Sequence, residues 1–387
     1  MRTVAVLTGT RADYGLLRGL LRELRADPAV RLRLLVTGTH LSEGFGRTAS
    51  EIERDGFDID ASVPIWSGED GPVDAAADVG GAIPSYARVL AEMDPDVLVL
   101  LGDRLEAFAA ATAATILSIP VAHIHGGELT EGAMDDALRH SITKMSYLHF
   151  TSTEDHRRRV VQLGEEPDRV FFHGAPIVDA LAELDLLPRE EVERRFGVRL
   201  PTPTALMTFH PAVMDVASPL RIVDELLAAL TSIEDLHVVI TGSNSDIGTA
   251  DVRSRLAEFV AAHPERTDFV ESFGQLGYLS AMRAASVVVG NSSSTVLEAP
   301  VLGVPSVVIG DRQRGRPLAA SVSSPPVDRG SIQRALRDAL AGGPATAGAE
   351  VFGAPGFARR TAQTLRDHDI PRPPRKTFHD LEGDTRR

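Results

Sequence analysis

The sequence contains no cysteine among its 387 residues. Disulfide bonds, thiolate metal sites and a thiol nucleophile are therefore excluded, which is compatible with the cytoplasm. Long apolar runs are also missing, since no stretch approaches the roughly 18 residues of a membrane-spanning helix. The opening residues MRTVAVLTGT enter a strand pattern without an apolar leader segment. We therefore expect a cytoplasmic protein that is neither secreted nor embedded in a membrane.

Positive charge is scarce as well. The chain has 40 basic and 54 acidic side chains, so its net charge is −14. Such a chain repels nucleic acid and anionic membranes, and neither is expected as a partner. An anionic ligand would have to be held by local arginines and backbone N–H groups.

Apolar, β-branched runs alternate with helical patterns along the chain. The runs VAVLT, LRLLVTG, DVLVLLG and PVAHI belong to the first half, and the alternation restarts after Pro188 with ALMTF, LHVVITG, SVVVGN and PSVVIG. This is the βαβ signature of a doubly wound parallel sheet, and the length suits two domains of roughly 150–200 residues. We predict an α/β protein with two Rossmann-like doubly wound domains and a cleft between them.

The domain boundary is expected where Leu187-Pro188 and the segment LPTPT interrupt the periodicity. We place the N-terminal domain at residues 1–180 and the C-terminal domain at residues 181–355. A helix over 356–370 is expected to pack back on the N-terminal domain. Residues 371–387, PRPPRKTFHDLEGDTRR, are expected to be disordered.

Polar segments follow six of the predicted strands. They are TGTRADYG at 8–15, LGDRLE at 101–106, HIHGGELTEGAMDDALRH at 123–140, TFHP at 208–211, GNSSSTVLEAP at 290–300 and GDRQRGR at 310–316. Open α/β sheets bind ligands at the carboxyl ends of their strands. A phosphate-bearing substrate is the first candidate ligand.

Two of these segments have features of anion-binding loops. In the first, Arg11 can grip a diphosphate and Asp13 can cap the following helix, although an ordinary capped loop would look the same. The run Gly290 to Thr295 places hydroxyl and N–H groups at a predicted helix N-terminus, although serine caps are common in themselves. Glu298, about one turn further into that helix, can accept ribose hydroxyls.

Carboxylates and cations cluster near successive strand ends of the first half; they are Asp103, Glu128, Asp135, Asp136, Arg104, Arg139 and His140. Asp135 and Arg139 are spaced i, i+4 on a predicted helix, so they can form an ion pair that tunes the acid or merely a solvated surface pair. The preceding Gly126-Gly127-Glu128 is too rich in glycine to be selected for stability, which favours a functional loop.

Histidines at strand ends offer little sign of a metal site. His123 and His125 alternate along a strand, so at most one can face a given site. No third ligand follows at a recognised spacing, and no metal is predicted. His210 ends the first strand of the second half, where it either contacts a ligand or has a local structural role.

These motifs, taken in order, resemble those of the hydrolysing UDP-N-acetylglucosamine 2-epimerases of the sialic-acid pathway. The set includes HLSEGFG at 40–46 and RHSITK at 139–144, and the resemblance runs from about residue 3 to about residue 340. The resemblance implies a glycosyltransferase-B-like fold with its active site in the interdomain cleft. It implies conversion of UDP-N-acetylglucosamine and water to N-acetylmannosamine and UDP, by anti elimination to 2-acetamidoglucal and then hydration. It further implies no cofactor, no metal and a homo-oligomer, either a dimer or a tetramer.

The resemblance also implies residue roles. Asp103, Glu128 and Asp135 match the carboxylates that move protons and activate water, and Arg139 and His210 match the polar residues beside them. The substrate-binding set is Arg11, Asp13, His40, Arg104, Ser292, Ser293, Glu298 and Arg312. Within that set, Ser292 and Ser293 match diphosphate positions and Glu298 matches the ribose position. The resemblance does not say which carboxylate is the first base.

Several alternatives stay open. The non-hydrolysing sister family usually carries proline and glutamate where this chain has Ala12 and Asp13, which favours the hydrolysing branch. A hydrolysing enzyme acting on UDP-2,4-diacetamido-2,4,6-trideoxyglucose shares nearly all the motifs. A glycosyltransferase of the same fold and a catalytically silent nucleotide-sugar sensor are the remaining possibilities.

Overall fold

The computed structural model describes residues 1–42, 48–65, 71–130, 134–210, 218–242, 249–342 and 349–381. Strands and helices alternate through these ranges, as the apolar runs predict. The chain divides into two units, the first formed by Met1–Ala182 with Phe352–Arg387 and the second by Glu183–Val351.

The first unit contains a seven-stranded parallel sheet in the order β3-β2-β1-β4-β5-β6-β7. Its strands are β1 (Arg2–Thr8), β2 (Val30–Thr37), β3 (Ala61–Val63), β4 (Val97–Leu101), β5 (Val121–Ile124), β6 (Leu148–Thr151) and β7 (Val170–Phe172). Its helices, apart from one near the C-terminus, are α1 (Arg11–Ala26), α2 (Ala49–Arg54), α3 (Pro72–Met93), α4 (Leu105–Ile116), α5 (Met134–Met145), α6 (Glu154–Gln162) and α7 (Pro176–Glu183).

The second unit contains a six-stranded parallel sheet in the order β10-β9-β8-β11-β12-β13. Its strands are β8 (Thr204–Thr208), β9 (His237–Thr241), β10 (Thr267–Val270), β11 (Val287–Gly290), β12 (Ser306–Val308) and β13 (Val322–Ser323). Its helices are α8 (Arg189–Phe196), α9 (Pro219–Thr231), α10 (Thr249–Ala262), α11 (Gly274–Ala284), α12 (Glu298–Val301) and α13 (Arg329–Ala341).

Both faces of the first sheet are covered, which explains its apolar strands. Val4 and Val6 of β1 belong to a core with α1, whereas Ala5 and Leu7 pack on the opposite face with α3 and α4. Successive side chains of a strand alternate between faces, so a strand buried on both sides must be apolar throughout. The predicted fold class, two Rossmann-like doubly wound α/β domains, is confirmed.

Each sheet reverses its strand order once. In the first unit β1 pairs with β2 on one side and β4 on the other. In the second unit β8 holds the same position between β9 and β11. The loops that follow these central strands diverge to opposite faces, and the crevice between them is where doubly wound sheets bind ligands.

The last helix, α14 (Phe357–Asp367), belongs to the first unit although it follows the second in the chain. Phe357 and Leu365 are buried in the same core as α1. The guanidinium of Arg2 donates hydrogen bonds of 2.7 Å to the carbonyls of Leu365 and His368. The first strand and the last helix are thereby tied to one another.

Residues 371–381, which belong to the segment predicted to be disordered, form defined contacts with the first unit; residues 382–387 lie outside the described ranges. Lys376 Nζ forms a 2.7 Å ion pair with Glu165, which is fully buried. Phe378 packs on Gly164, where a Cβ would collide with the aromatic ring. The buried carboxylate needs cationic partners, and the tail supplies one from 211 residues further along the sequence, a distance at which composition gives no signal.

Glu165 is held ionised by its partners. Burial by itself would raise the pKa of Glu165, but hydrogen bonds from His149, Lys144 and Lys376 outweigh burial and lower this pKa to about 2. A carboxyl group whose folded-state pKa is depressed stabilises the fold above its unfolded pKa, and this stabilisation is lost as the pH falls.

We expect Lys376→Met to lower the free energy of unfolding by about 1–3 kcal/mol at pH 7, because a buried carboxylate loses a charged donor. The deficit should narrow as the pH falls from about 4 towards 2, where Glu165 of the wild type takes up its proton. Urea unfolding across this pH range measures both effects. Arg375→Met, at an exposed position one residue away, is the control, and an equal loss in both variants would contradict the assignment.

Candidate functional site

The crevice of the first unit contains two acids and one arginine. Thr10 caps α1 and accepts a 3.2 Å hydrogen bond from the backbone N of Asp13. Arg104, at the N-terminal end of α4, lines the same crevice together with Gly9, Asp13 and Glu106. Burial raises the pKa of Asp13; the positive charge of Arg104 opposes this rise and Glu106 adds to it.

Glu106 is a residue that the sequence analysis did not single out. Its side chain is 2% exposed, and its Oε1 accepts a 3.2 Å hydrogen bond from Arg104. Its Oε2 is buried and has no partner among the described residues. A Cβ at Gly38 would lie 2.5 Å from Oε1 of Glu106, and Gly38 has a φ of +58°. The glycine therefore makes room for the acid, a contact that the motif LGDRLE could not reveal.

Arg139 organises a second cluster at the ends of β4 and β5. Its guanidinium is almost fully buried and forms an ion pair with Asp103 and a 2.6 Å ion pair with Asp136. It also donates hydrogen bonds to the carbonyl of Glu128 at 2.9 Å and to Thr130 Oγ1 at 3.2 Å. One cation thus connects the loop after β4, the loop after β5 and helix α5.

The i, i+4 spacing allows Asp135 to pair with Arg139, but the structure pairs the arginine with a different acid. Arg139 pairs with Asp136, three residues before it, and this carboxylate also accepts a 2.6 Å hydrogen bond from the backbone N of Thr130. Asp135 is left exposed beside the cluster. The pKa of Asp135 is raised, chiefly because the neighbouring cluster partly shields its carboxyl group from water, and further by the negative charge of Asp103. Asp103 and Asp135 therefore form one acidic group beside the cation Arg139.

Glu128 lies in the loop that follows β5. Its Oε1 accepts a 2.6 Å hydrogen bond from Ser152 Oγ at the start of the β6–α6 connection. Nδ1 of His125 lies 3.4 Å from the same oxygen. Ser152 and His156 were missed by the sequence analysis, because Ser152 lies 24 residues from Glu128 and is brought close to it by the pairing of β5 with β6.

Two histidines near these loops are structural. Both ring nitrogens of His40 are bonded, Nε2 to Thr8 Oγ1 at 3.0 Å and Nδ1 to Thr48 Oγ1 at 2.7 Å. Burial lowers the pKa of His40 to about 4 and that of His123 to about 3, so both rings are neutral at pH 7. His40 therefore stabilises the loop that follows β1.

Arg11, in the loop that follows β1, has an exposed side chain. Nε of Arg11 lies 3.2 Å from Glu51, and the Arg11 side chain is 59% exposed. It is therefore held only weakly and is accessible. Parts of three predicted motifs, residues 43–46, 131–133 and Pro211, lie outside the described ranges.

Asn291 organises the crevice of the second unit. Its side chain is buried, accepts a 2.7 Å hydrogen bond from the backbone N of His210 and donates one of 2.6 Å to the carbonyl of His210. Its own carbonyl accepts hydrogen bonds from Arg312 at 3.2 Å and Gln313 at 2.8 Å. The ends of β8 and β11 and the loop after β12 are joined at this one residue.

The helix predicted after the serine run is interrupted. Ser292 caps a short 3-10 turn over Ser293–Thr295, and α12 begins only at Glu298 and has four residues. Glu298 is therefore the first residue of a separate helix rather than one turn inside the same helix. Pro300 in this segment lacks the N–H that a longer regular helix would need there.

Glu298 has an acceptor available. Burial raises the pKa of Glu298, and its buried Oε2 has no partner within the described part of the chain. Ser292 and Ser293 are half-buried at the start of the same segment. Arg312 and His210 are tied to these residues through Asn291. His210 and Arg312 thus lie beside Asn291, which directly precedes Ser292 and Ser293.

In the described ranges no group of three or more His, Asp or Glu side chains is arranged to hold a metal ion. In the same ranges no helix combines the length and the apolar character that a bilayer crossing requires.

Comparisons with known proteins agree with this architecture. Residues 22–366 match the family described as UDP-N-acetylglucosamine 2-epimerase. The chain is 34% identical over 315 residues, 81% of this chain and 82% of the relative, to a Campylobacter jejuni protein named GDP/UDP-N,N'-diacetylbacillosamine 2-epimerase (hydrolyzing). It is 36% identical over 337 residues, 87% of this chain and 85% of the relative, to the Escherichia coli polysialic acid biosynthesis protein P7.

A solved structure shares the fold. The UDP-GlcNAc 2-epimerase from Neisseria meningitidis bound to UDP-GlcNAc superposes with a TM-score of 0.76 at 20% identity, over 94% of this chain and 99% of that one. The two doubly wound parallel sheets therefore define a glycosyltransferase-B-like fold. The sequence matches are more specific: the chain belongs to the UDP-N-acetylglucosamine 2-epimerase family.

We expect Asn291→Ala to lower the free energy of unfolding by about 2–4 kcal/mol, because two backbone groups of His210 lose their buried partners. Denaturant unfolding measures this loss. Gln333→Ala removes an amide whose hydrogen bond to Ser232 is 3.5 Å long, and it serves as the control in the same unit. A loss for Asn291→Ala no greater than for the control would show that Asn291 does not hold the crevice together.

Proposed function

We propose that the protein is a hydrolysing UDP-N-acetylglucosamine 2-epimerase that converts UDP-N-acetylglucosamine and water to N-acetylmannosamine and UDP. The observation that carries this proposal is the acidic group of Asp103 and Asp135 around the buried cation Arg139. Membership of the family gives the reaction class, and the word "hydrolyzing" in the name of the Campylobacter relative supports the branch.

The reaction makes particular demands on the protein. The C2 proton of the sugar is not α to a carbonyl group, so its removal requires the C1–O bond to loosen first. The resulting oxocarbenium-like character is stabilised by nearby carboxylates. Elimination releases UDP and leaves 2-acetamidoglucal, after which water adds at C1 and a proton returns to C2 from the other face.

The first unit supplies the carboxylates for these proton transfers. Asp103, Glu128 and Asp135 are assigned to proton removal, proton return and water activation. Arg139 fixes the position of Asp103 by direct ion pairing and that of the Glu128 loop by its bond to the carbonyl. The raised pKa of Asp135 suits a group that exchanges a proton during turnover.

The leaving diphosphate requires cations and N–H groups. We assign this role in the second unit to Ser292, Ser293 and Arg312, with His210 beside them and Glu298 accepting ribose hydroxyls through its buried oxygen. In the first unit, Arg11, Asp13 and Arg104 contribute polar groups at the end of β1 and β4. His40 acts indirectly, by supporting the β1 loop. No metal ion takes part in this scheme.

A second substrate has specific support. The Campylobacter relative, at 34% identity, is named for N,N'-diacetylbacillosamine rather than N-acetylglucosamine. The same elimination and hydration steps apply to UDP-2,4-diacetamido-2,4,6-trideoxyglucose, because the reacting atoms C1 and C2 are unchanged. The two substrates differ at C4 and C6, away from the carboxylates that move the proton.

We expect proton NMR of the protein with UDP-N-acetylglucosamine in D2O to show UDP together with N-acetylmannosamine deuterated at C2. The rate should be unchanged by EDTA, because arginines and backbone N–H groups neutralise the leaving group. Accumulation of UDP-N-acetylmannosamine would contradict the hydrolysing branch. An inert UDP-N-acetylglucosamine alongside turnover of the diacetamido sugar would transfer the assignment to that substrate.

Asp103→Asn should lower kcat by at least about 100-fold, because a proton-transfer or charge-stabilising carboxylate becomes a neutral amide. Binding of UDP, measured by isothermal titration calorimetry, should persist. The control is Asp58→Asn, an exposed carboxylate for which no shift in activity is expected. Wild-type turnover by Asp103→Asn would remove Asp103 from the mechanism.

The pH dependence of kcat/KM should reflect the ionisation of Asp135. If Asp135 accepts a proton in the rate-limiting step, kcat/KM rises with pH as this group ionises, and its raised pKa places the rise above the ordinary range of an aspartate. Asp135→Glu should preserve the rise of kcat/KM with pH. Asp135→Asn should either be inactive or show no such rise. A profile identical in Asp135→Asn and the wild type would exclude this role.

A further inference from the structure

Three side chains surround the carboxylate of Glu128 in the first unit. Ser152 Oγ donates a 2.6 Å hydrogen bond to Glu128 Oε1, and the same Oγ lies 3.0 Å from Nδ1 of His156. His125 Nδ1 lies 3.4 Å from Oε1. Ser152 and His156 are both nearly fully buried, so these contacts are shielded from competing water.

The direction of the hydrogen bonds follows from the number of protons. Ser152 has one hydroxyl proton, and donating it to the Glu128 carboxylate leaves only oxygen lone pairs facing His156. Nδ1 of His156 must then carry a hydrogen for the 3.0 Å contact to be a hydrogen bond. Burial lowers the pKa of His156 to about 4, so at pH 7 the ring is neutral and has a single N–H.

Helix α6 fixes this arrangement. Thr153 caps the helix by accepting a 3.1 Å hydrogen bond from the backbone N of His156. Gly127 has a φ of +79°, and a Cβ there would collide with the carbonyl oxygen of His156. The guanidinium of Arg159, one turn further along α6, donates to the carbonyl of Gly127. The loop that carries Glu128 is therefore held directly against the first turns of α6.

His125 completes the surroundings of Glu128. It is a non-glycine residue with a φ of +70°, a conformation that costs free energy and persists where the surrounding structure demands it. Its Nδ1 faces Glu128, and its buried Nε2 has no partner among the residues that the structure describes. The strained backbone keeps the imidazole beside the carboxylate.

We propose that Ser152 and His156 are positioning residues, which hold Glu128 ionised and in place through the donor chain His156 Nδ1–H to Ser152 Oγ–H to Glu128. The proposal rests on the proposed function, in which Glu128 is one of the carboxylates that handle protons. Neither residue touches the substrate in this scheme. Their effect is transmitted through the orientation and ionisation of Glu128, since donors to a carboxylate favour its charged form.

Ser152→Ala removes the hydroxyl group that donates to Glu128 and accepts from His156, and so interrupts the proposed hydrogen-bond chain. We expect kcat to fall by about 10- to 100-fold, the cost of a misplaced catalytic group. The loss should deepen towards low pH, because a carboxylate that has lost a donor takes up a proton more readily, so that an acid limb of Glu128 is added to the one assigned to Asp135. KM should change little. Ser141→Ala, which removes an exposed hydroxyl bonded only within α5, is the matched control.

His156 can be replaced with and without its donor. The amide nitrogen of asparagine occupies nearly the position of Nδ1, so His156→Asn should retain most of kcat and the wild-type acid limb. His156→Leu should behave like Ser152→Ala, and the two changes combined should cost little more than either alone. Wild-type pH profiles in Ser152→Ala and His156→Leu would overturn the proposal, as would equal losses in His156→Asn and His156→Leu with both proteins folded.

A measurement on the resting protein separates this proposal from the proposed function. Nitrogen-15 NMR of the histidine rings, with His156 identified by its absence in His156→Asn, should show a neutral ring protonated at Nδ1 at pH 7. A neutral His156 ring protonated at Nε2 instead would contradict the proposed hydrogen-bond chain, whatever the enzymatic activity of the protein. If the wild type turns over neither UDP sugar, the proposed function fails, while this spectrum still decides whether the chain exists.

Discussion

The reversal of strand order within each sheet is the constraint on which the arrangement of polar residues depends. The helices after β1 and β4 cover opposite faces, so the two loops separate and leave polar groups between them. Gly9 and Arg104 meet in this way in the first unit. In the second, His210 and Asn291 meet at the ends of β8 and β11. Backbone pairing, rather than attraction between the side chains themselves, brings them together.

Within this frame, single buried residues determine the geometry. Arg139 is a buried cation, and such a charge is tolerated only with close acceptors, which Asp103, Asp136 and two loop oxygens supply. The same contacts immobilise the acids. Asn291 is the neutral counterpart in the second unit, where one amide satisfies both backbone groups of His210. The side chains at the base of each crevice are therefore held in place by hydrogen bonds and ion pairs. The side chains of Arg11 and Asp135, by contrast, are exposed.

The sequence was sufficient for the strands, the two-sided sheets and the loops at which they end, because apolar runs and their glycine or proline boundaries are local signals. It failed where a choice depended on distant partners. Asp135 and Asp136 are both spaced to reach Arg139, and the backbone N of Thr130 decides in favour of Asp136. Ser152 and the tail lysine Lys376 act on acids far away in sequence. Periodicity carries no information about such contacts.

The return of the last helix to the first unit has a consequence for biosynthesis. Phe357 and Leu365 complete a core that begins with Val4, so that core cannot close until residue 365 has been synthesised. The second unit, Glu183–Val351, is synthesised entirely before these residues. The core of the first unit is therefore completed after the second unit has been synthesised, and until then part of its apolar surface is uncovered.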